Sequence, residues 1–215
     1  AGLGQARTFS TPEAQYEHLP RFDPSRGIAF TAAGRVDNRE ELIRDLRLEI
    51  GDWNTSNFQH LTSNFQLPTS NFQLPDGDLL YHAYIKWGDD CVKRIYGDWA
   101  FAAWHPNERK LFLARDHYGN TALYYHANSR LFVFASEHKA LLALNLAPLE
   151  MDELYLAQVL ITWTAYHGER TIYKSLRRLP PAHTLTATPQ QLNTQQYWRL
   201  EDTPLLHLPK RQDYV

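Results

Sequence analysis

Residues 76–105 read DGDLLYHAYIKWGDDCVKRIYGDWAFAAWH, and the hydrophobic period changes in the middle of this stretch. The large apolar side chains of its first half share one face of a 3.6-residue helix: Leu79, Leu80, Ala83, Tyr84 and Trp87. Gly88 follows, and glycine is the residue that most often ends a helix. The segment DWAFAAWH is then rich in the apolar and aromatic residues of strands. The stretch predicts an amphipathic helix that leads into a strand.

Similar signals extend in both directions. Toward the amino terminus, GIAFTAAG at 27–34 predicts a buried strand, and the helical spacing of Leu42, Ile43, Leu46 and Ile50 predicts a helix that Asp37 or Asn38 can cap. Toward the carboxyl terminus, KLFLARD, ALYYHA and LFVFAS predict short antiparallel strands separated by turn residues. Short helices are expected at 138–144 and 151–160, and weak strands after residue 180.

Residues 55–75 contain three tandem copies of one seven-residue unit, TSNFQHL, TSNFQLP and TSNFQLP. The copies lack charge and two of them end in proline, which argues against a coiled coil. We interpret them as an expanded surface loop, because added loop length costs little closure entropy. A partner-binding arm with exposed phenylalanines is the alternative.

Composition excludes several classes of function. The 215 residues carry 22 basic and 24 acidic side chains, a formal net charge of −2, so no attraction to nucleic acid or an anionic membrane is expected. The apolar runs are shorter than the roughly 20 residues of a membrane helix, and no export signal is visible. The sequence predicts a cytoplasmic protein. Its one cysteine, Cys91, is expected to be buried and inert.

Common catalytic motifs are absent from the sequence. No Walker loop, GxSxG elbow, CxxC pair or HExxH helix occurs, and the ten histidines are scattered, so no metal is assigned. Lys174, Arg177 and Arg178 form a basic cluster that we interpret as a solvated face rather than a phosphate site.

Five segments in order resemble the front half of asparagine synthetase. They are GRVDNREEL at 34–42, the stretch 76–105, ARDHYGNTALYY at 114–125, LFVFASEHKALLAL at 131–144, and RRLPPAHTL with QYWRL between 177 and 200. The resemblance identifies the chain as a class II glutamine amidotransferase domain, and it covers about residues 27 to 200. GRVDNREEL is more similar to relatives without the first cysteine, such as lasso-peptide cyclases and β-lactam synthetase.

The resemblance implies an α+β fold, a four-layer αββα sandwich of two antiparallel sheets of the N-terminal-nucleophile (Ntn) hydrolase type. Residues 1–198 are then the amidotransferase-like domain with the insertion 55–75, and 199–215 are a linker toward a synthetase domain. ATP and Mg are expected only in that synthetase domain, which acts in cis or in trans. The chain is expected to be a fragment or a lone remnant.

Departures from the family pattern predict a degenerate glutamine pocket. Ala1 stands at the position of the nucleophilic cysteine, so no catalytic residue is assigned. Ala33, Gly34 and Arg35 replace Asn-Gly-Glu, which removes an oxyanion donor and inverts the charge that would hold the ammonium of glutamine. By the same resemblance the pocket includes Asp76, Gly97 and Asp98. Asp76 matches an amine-binding carboxylate, although a helix N-cap is an equal alternative.

Two further pairs match family motifs. Arg115 and Asp116 match a pair that in the family helps build the face toward the second domain, and a local capping role is equally compatible with them. Ser136 and Glu137 are expected to orient the helix that follows.

The leading hypothesis is a noncatalytic amidotransferase-like domain of an ATP-dependent, amide-forming ligase. One alternative is a stand-alone module that binds a glutamine-like molecule or a protein through the cleft that binds glutamine in the family. Another is a true glutamine-hydrolysing asparagine synthetase domain in which Ala1 replaces a native cysteine. Altered Ala33 and Arg35 argue against the last alternative.

Overall fold

The computed structural model describes residues 1–5, 12–46, 74–146, 149–162 and 168–202. All of the TSNFQ repeat except Leu74 and Pro75 lies outside these residues, as does most of the expected linker 199–215. Nine strands are present in this part of the chain: β1 (Arg21–Asp23), β2 (Ile28–Val36), β3 (Gly97–His105), β4 (Lys110–Arg115), β5 (Tyr124–Ala127), β6 (Phe132–Ala135), β7 (Arg177–Arg178), β8 (His183–Ala187) and β9 (Leu192–Gln196). The α-helices of the same part are α1 (Arg39–Leu46), α2 (Asp76–Trp87), α3 (His138–Leu142) and α4 (Glu153–Thr162), and short 3₁₀ helices span Pro12–Tyr16, Gly88–Lys93 and Leu200–Asp202.

The strands form two antiparallel sheets. The larger has the order β1-β2-β3-β4-β8-β9 and the smaller the order β6-β5-β7. Most of the strands and helices predicted from hydrophobic period are confirmed, whereas the short β1 and the 3₁₀ helix before it were not anticipated. The strands after β3 are divided between the sheets, so that β4 pairs with β8 rather than with β5.

One core lies between the larger sheet and helices α1 and α2. Alternate residues of β2 and β3 point toward the helices, and Phe30 stacks on Phe101 with ring centroids 5.3 Å apart. Tyr84 of α2 stacks on Phe112 at 5.6 Å. Full burial of such side chains contributes about 1.5–3 kcal/mol each, which makes this layer the main source of stability.

A second core lies between the two sheets. The opposite faces of β3, β4 and β8 supply small and branched residues, among them Ala102, Leu113 and Leu185, which pack against Tyr125 of β5. Tyr124, the preceding residue, points the other way and contacts His138 of α3. The order helix, sheet, sheet, helix follows, and the predicted α+β sandwich of two antiparallel sheets is confirmed.

Candidate functional site

The residues of the predicted glutamine pocket lie where β2 ends and its antiparallel neighbour β3 begins. Their register pairs Gly34 with Trp99, Arg35 with Asp98 and Val36 with Gly97. The structure therefore brings together Ala33, Gly34, Arg35, Gly97 and Asp98, which the sequence placed in one site. Ala33, Gly34 and Arg35 are exposed, so this edge is open to solvent.

Two glycines allow the strands to approach closely at this edge. Gly34 has φ +132°, and a Cβ there would lie 2.1 Å from the carbonyl oxygen of Asp98. Gly97 has φ +135°, and its Cβ would lie 2.2 Å from the carbonyl oxygen of Arg35. No side chain fits at either position. At Gly34 and Gly97 the site therefore presents only backbone atoms, and the polar groups of the site come from the neighbouring side chains.

Arg35 engages the acidic groups of this edge. Its Nε donates to Asp37 Oδ1 at 2.7 Å, and its guanidinium lies 3.6 Å from Asp98 Oδ2. The hydrogen bond to Asp37 and the charges of Asp37 and Asp98 raise the pKa of Arg35. Asp98 also accepts a hydrogen bond from Asn120 Nδ2 at 2.7 Å. The carboxylates of Asp37 and Asp98 are thus already paired with Arg35, and Asp98 also has Asn120 as a hydrogen-bond donor.

Asp76 begins α2 and is 5% exposed. Its carboxylate forms an ion pair with Arg39 of α1, whose guanidinium also donates to the carbonyl of Leu74. The alternative role of Asp76 as the helix N-cap is wrong, because Pro75 occupies the cap position. The backbone N–H of Gly77 in the first turn donates instead to Glu17 Oε2 at 3.1 Å. The negative charge of Asp76 is therefore compensated inside the fold.

Arg115 and Asp116 form the turn beside this edge, and both are buried. Asp116 Oδ1 accepts the backbone N–H groups of residues 118, 119 and 120, and Oδ2 accepts that of Thr121 at 2.9 Å. Arg115 donates to the carbonyls of Gly119, Thr121 and Leu179. These contacts organise the loop 116–121, whose exposed residues are Tyr118 and Asn120. The interdomain role of the pair stays a prediction.

Ala1 does not lie at this site. It lines a shallow cavity with Pro20, Phe22, Ala29 and Trp104, at the opposite end of β2 from Gly34. The residues from Ala29 to Gly34 span roughly 17 Å of strand. Gln5 anchors the segment, since it accepts a hydrogen bond from Thr31 and donates one to Glu17. The assignment of Ala1 to the nucleophile position of the family stays a prediction.

Two members of the site were missed by sequence reasoning, Arg39 and Asn120. Arg39 lies in the first turn of α1, where the helix dipole disfavours a cation, and an unfavourable charge of this kind can signal an acidic partner. Asn120 carries no such signal. Glu137 occupies the N-cap position of α3 but makes no side-chain cap bond. No capping hydrogen bond from Glu137 therefore supports its expected role in orienting α3.

Other kinds of site find no support in the described residues. They contain no group of three or more His, Cys, Asp or Glu side chains that could hold a metal ion. Cys91 is fully buried, and burial raises the pKa of its thiol. Among the same residues, no helix combines the length and the apolar character that crossing a membrane requires.

A helix–sheet–sheet–helix sandwich with two antiparallel sheets is the fold of Ntn-type glutamine amidotransferases. The glutamine phosphoribosylpyrophosphate amidotransferase of Bacillus subtilis shares this fold, with a TM-score of 0.52 and 16% identity over 84% of this chain and 32% of that chain. The model of the glutamine amidotransferase domain family matches residues 51–198. The chain belongs to this family.

Curated relatives extend the likeness to asparagine synthetases. Asparagine synthetase [glutamine-hydrolyzing] 3 of Bacillus subtilis is 34% identical over 126 residues, which are 59% of this chain and 20% of that protein. A putative asparagine synthetase of Methanocaldococcus jannaschii is 28% identical over 179 residues, 78% of this chain and 34% of that protein. The chain thus spans between a fifth and about a third of these relatives. The resemblance to the amidotransferase domain of asparagine synthetases is confirmed.

Proposed function

We propose that this amidotransferase domain does not hydrolyse glutamine and serves as the noncatalytic domain of an ATP-dependent, amide-forming synthetase. The observation that carries the proposal is Arg35. In the family an acidic residue at this position helps hold the ammonium of glutamine. Here a guanidinium lies there and pairs with Asp37 and Asp98, so it both repels the ammonium and occupies the carboxylates.

Two further features support the loss of glutamine binding. Ala33 replaces the family's asparagine and has no side-chain donor for an oxyanion. Asp76, the remaining amine-binding carboxylate of the family pattern, is paired with Arg39. The only cysteine in the sequence, Cys91, is fully buried with a raised pKa and does not serve as the nucleophile.

The synthetase half of the proposal is supported by the relatives. They are asparagine synthetases, and the part that matches this chain makes up 20% and 34% of their lengths. A synthetase domain in cis or in trans would supply the ATP- and Mg-dependent chemistry. This domain then contributes structure and contact surface to the larger enzyme.

A glutaminase assay on the purified complete gene product tests the proposal. We expect no release of glutamate from glutamine above a heat-denatured control. Calorimetry should also detect no glutamine binding by the wild type, whereas the double variant Ala33→Asn with Arg35→Glu should gain measurable binding.

The matched control is Arg44→Glu, because Arg44 is an exposed arginine of α1 whose ion-pair partner is the adjacent Asp45. This variant should bind glutamine no better than the wild type. Glutamate release by the wild type, or equal binding by the control and the double variant, would contradict the proposal.

A further inference from the structure

Exposed hydrophobic side chains are concentrated in one part of the described chain. Seven of the twelve large hydrophobic residues that are exposed there fall between residues 144 and 161: Leu144, Leu146, Leu149, Met151, Leu154, Leu160 and Ile161. Scattered exposed leucines are ordinary, but such a concentration marks an interaction surface. We call the last five of these residues the α4 surface.

Helix α4 has the apolar composition of a buried helix, but its side chains are accessible to solvent. Its sequence ELYLAQVLIT contains a single charged residue, Glu153, at its first position. A helix that is apolar on all sides is normally surrounded by protein. None of its residues is buried, however, and Leu160 and Ile161 are 72% and 79% exposed. Leu154 and Ile161 lie two turns apart and share a face.

The α4 surface is held in place at its amino-terminal end. The carboxylate of Asp152, which is buried, accepts the backbone N–H of Tyr155 at 3.1 Å and pairs with Arg170 at 2.7 Å. The backbone N–H of Asp152 donates to the carbonyl of Ile172, and Met151 bridges to Tyr173. A surface anchored in this way needs little ordering when a partner binds, which lowers the entropic cost of docking.

We infer that the α4 surface is the face on which the synthetase portion of the enzyme docks, an inference that rests on the proposed function. A surface without basic residues fits an apolar protein face and not a polyanion. The part that matches this chain makes up 20% and 34% of the two relatives, so most of their length lies outside it. The charged pair Glu150–Lys174 borders the surface and supplies the polar rim that such interfaces have.

Hydrogen exchange on the complete gene product and on the 215-residue chain tests the inference. We expect the amides of α4 to exchange at least about tenfold more slowly in the complete product, because docking must be lost before they open. Ile161→Asp should abolish this difference. The matched control is Leu192→Asp, since Leu192 of β9 is 48% exposed and lies outside the α4 surface, and it should leave the difference intact.

Several outcomes would overturn the inference. These are equal exchange of α4 in the two proteins, persistence of the difference in Ile161→Asp, and a gene product that contains no synthetase portion. Slow exchange of α4 in the 215-residue chain together with a dimeric mass in sedimentation would assign the surface to a second copy instead. Glutamate release, by contrast, would refute the absence of glutaminase activity and leave the exchange result unchanged, so the two failures are distinguishable.

Discussion

Asp116 offers the sharpest test of how the loop beside the site is held. Its carboxylate is fully buried and accepts four backbone N–H groups, at 3.0 Å from Tyr118, 2.6 Å from Gly119, 3.1 Å from Asn120 and 2.9 Å from Thr121. In Asp116→Asn the amide oxygen can retain three of these bonds. The amide nitrogen, however, then faces the N–H of Thr121, and two donors oppose each other.

The expected loss follows from these contacts. One hydrogen bond to a charged group is worth about 1.5–3 kcal/mol, and the other three lose their charge assistance, so we expect Asp116→Asn to lower the free energy of unfolding by about 3 kcal/mol. Urea unfolding at pH 7, followed by tryptophan fluorescence, measures this loss as a shift in midpoint at constant m-value.

A matched substitution separates this effect from the general loss of a carboxylate. Asp90→Asn removes a charge whose side chain is 74% exposed and pairs with Lys93, and its midpoint should equal that of the wild type. A loss below about 1 kcal/mol in Asp116→Asn would refute the reasoning, since the loop would then not depend on the carboxylate.

Three further predictions concern Gly34, His82 and Cys91. Gly34→Ala should cost more than about 3 kcal/mol in urea unfolding, because its Cβ would lie 2.6 Å from the Cα of Trp99 at a positive φ; a loss under about 1 kcal/mol would contradict the close approach. Burial, together with the charges of Arg21 and Arg26, lowers the pKa of His82 from 6.5 to about 4. Between these two pH values the unfolded chain binds a proton at His82 that the folded chain does not bind, so the free energy of unfolding falls as the pH drops from 6.5 to 4. His82→Gln should reduce that fall by up to about 3 kcal/mol when unfolding is compared at pH 4.5 and pH 7, and an unchanged fall would exclude His82 as its source. Cys91 should react with a thiol reagent at pH 8 only after unfolding, and rapid labelling of the native protein would show that the thiol is accessible.

The sequence by itself determined most of the helices and strands, and its motifs pointed to the family. The apolar period of residues 78–87 and the following Gly88 predict α2 with its correct carboxyl-terminal end, because helix formation and termination depend on neighbours a few residues apart. The resemblance to the family also placed Gly34 and Asp98 in one pocket, and the register of β2 and β3 brings them together.

Only the tertiary structure decided how the strands divide between two sheets and which charges meet. The pairing of Leu113 with Leu185 joins segments far apart in the chain, and no local pattern encodes it. Arg39 and Asp76 are 37 residues apart, and Asn120 and Asp98 are 22 apart, yet these contacts set the electrostatics of the cleft. The position of Ala1 also came from packing, since Gln5 attaches the amino-terminal segment to Thr31 and Glu17. Local residue spacing determines secondary structure, whereas such long-range contacts form only once the layers have packed.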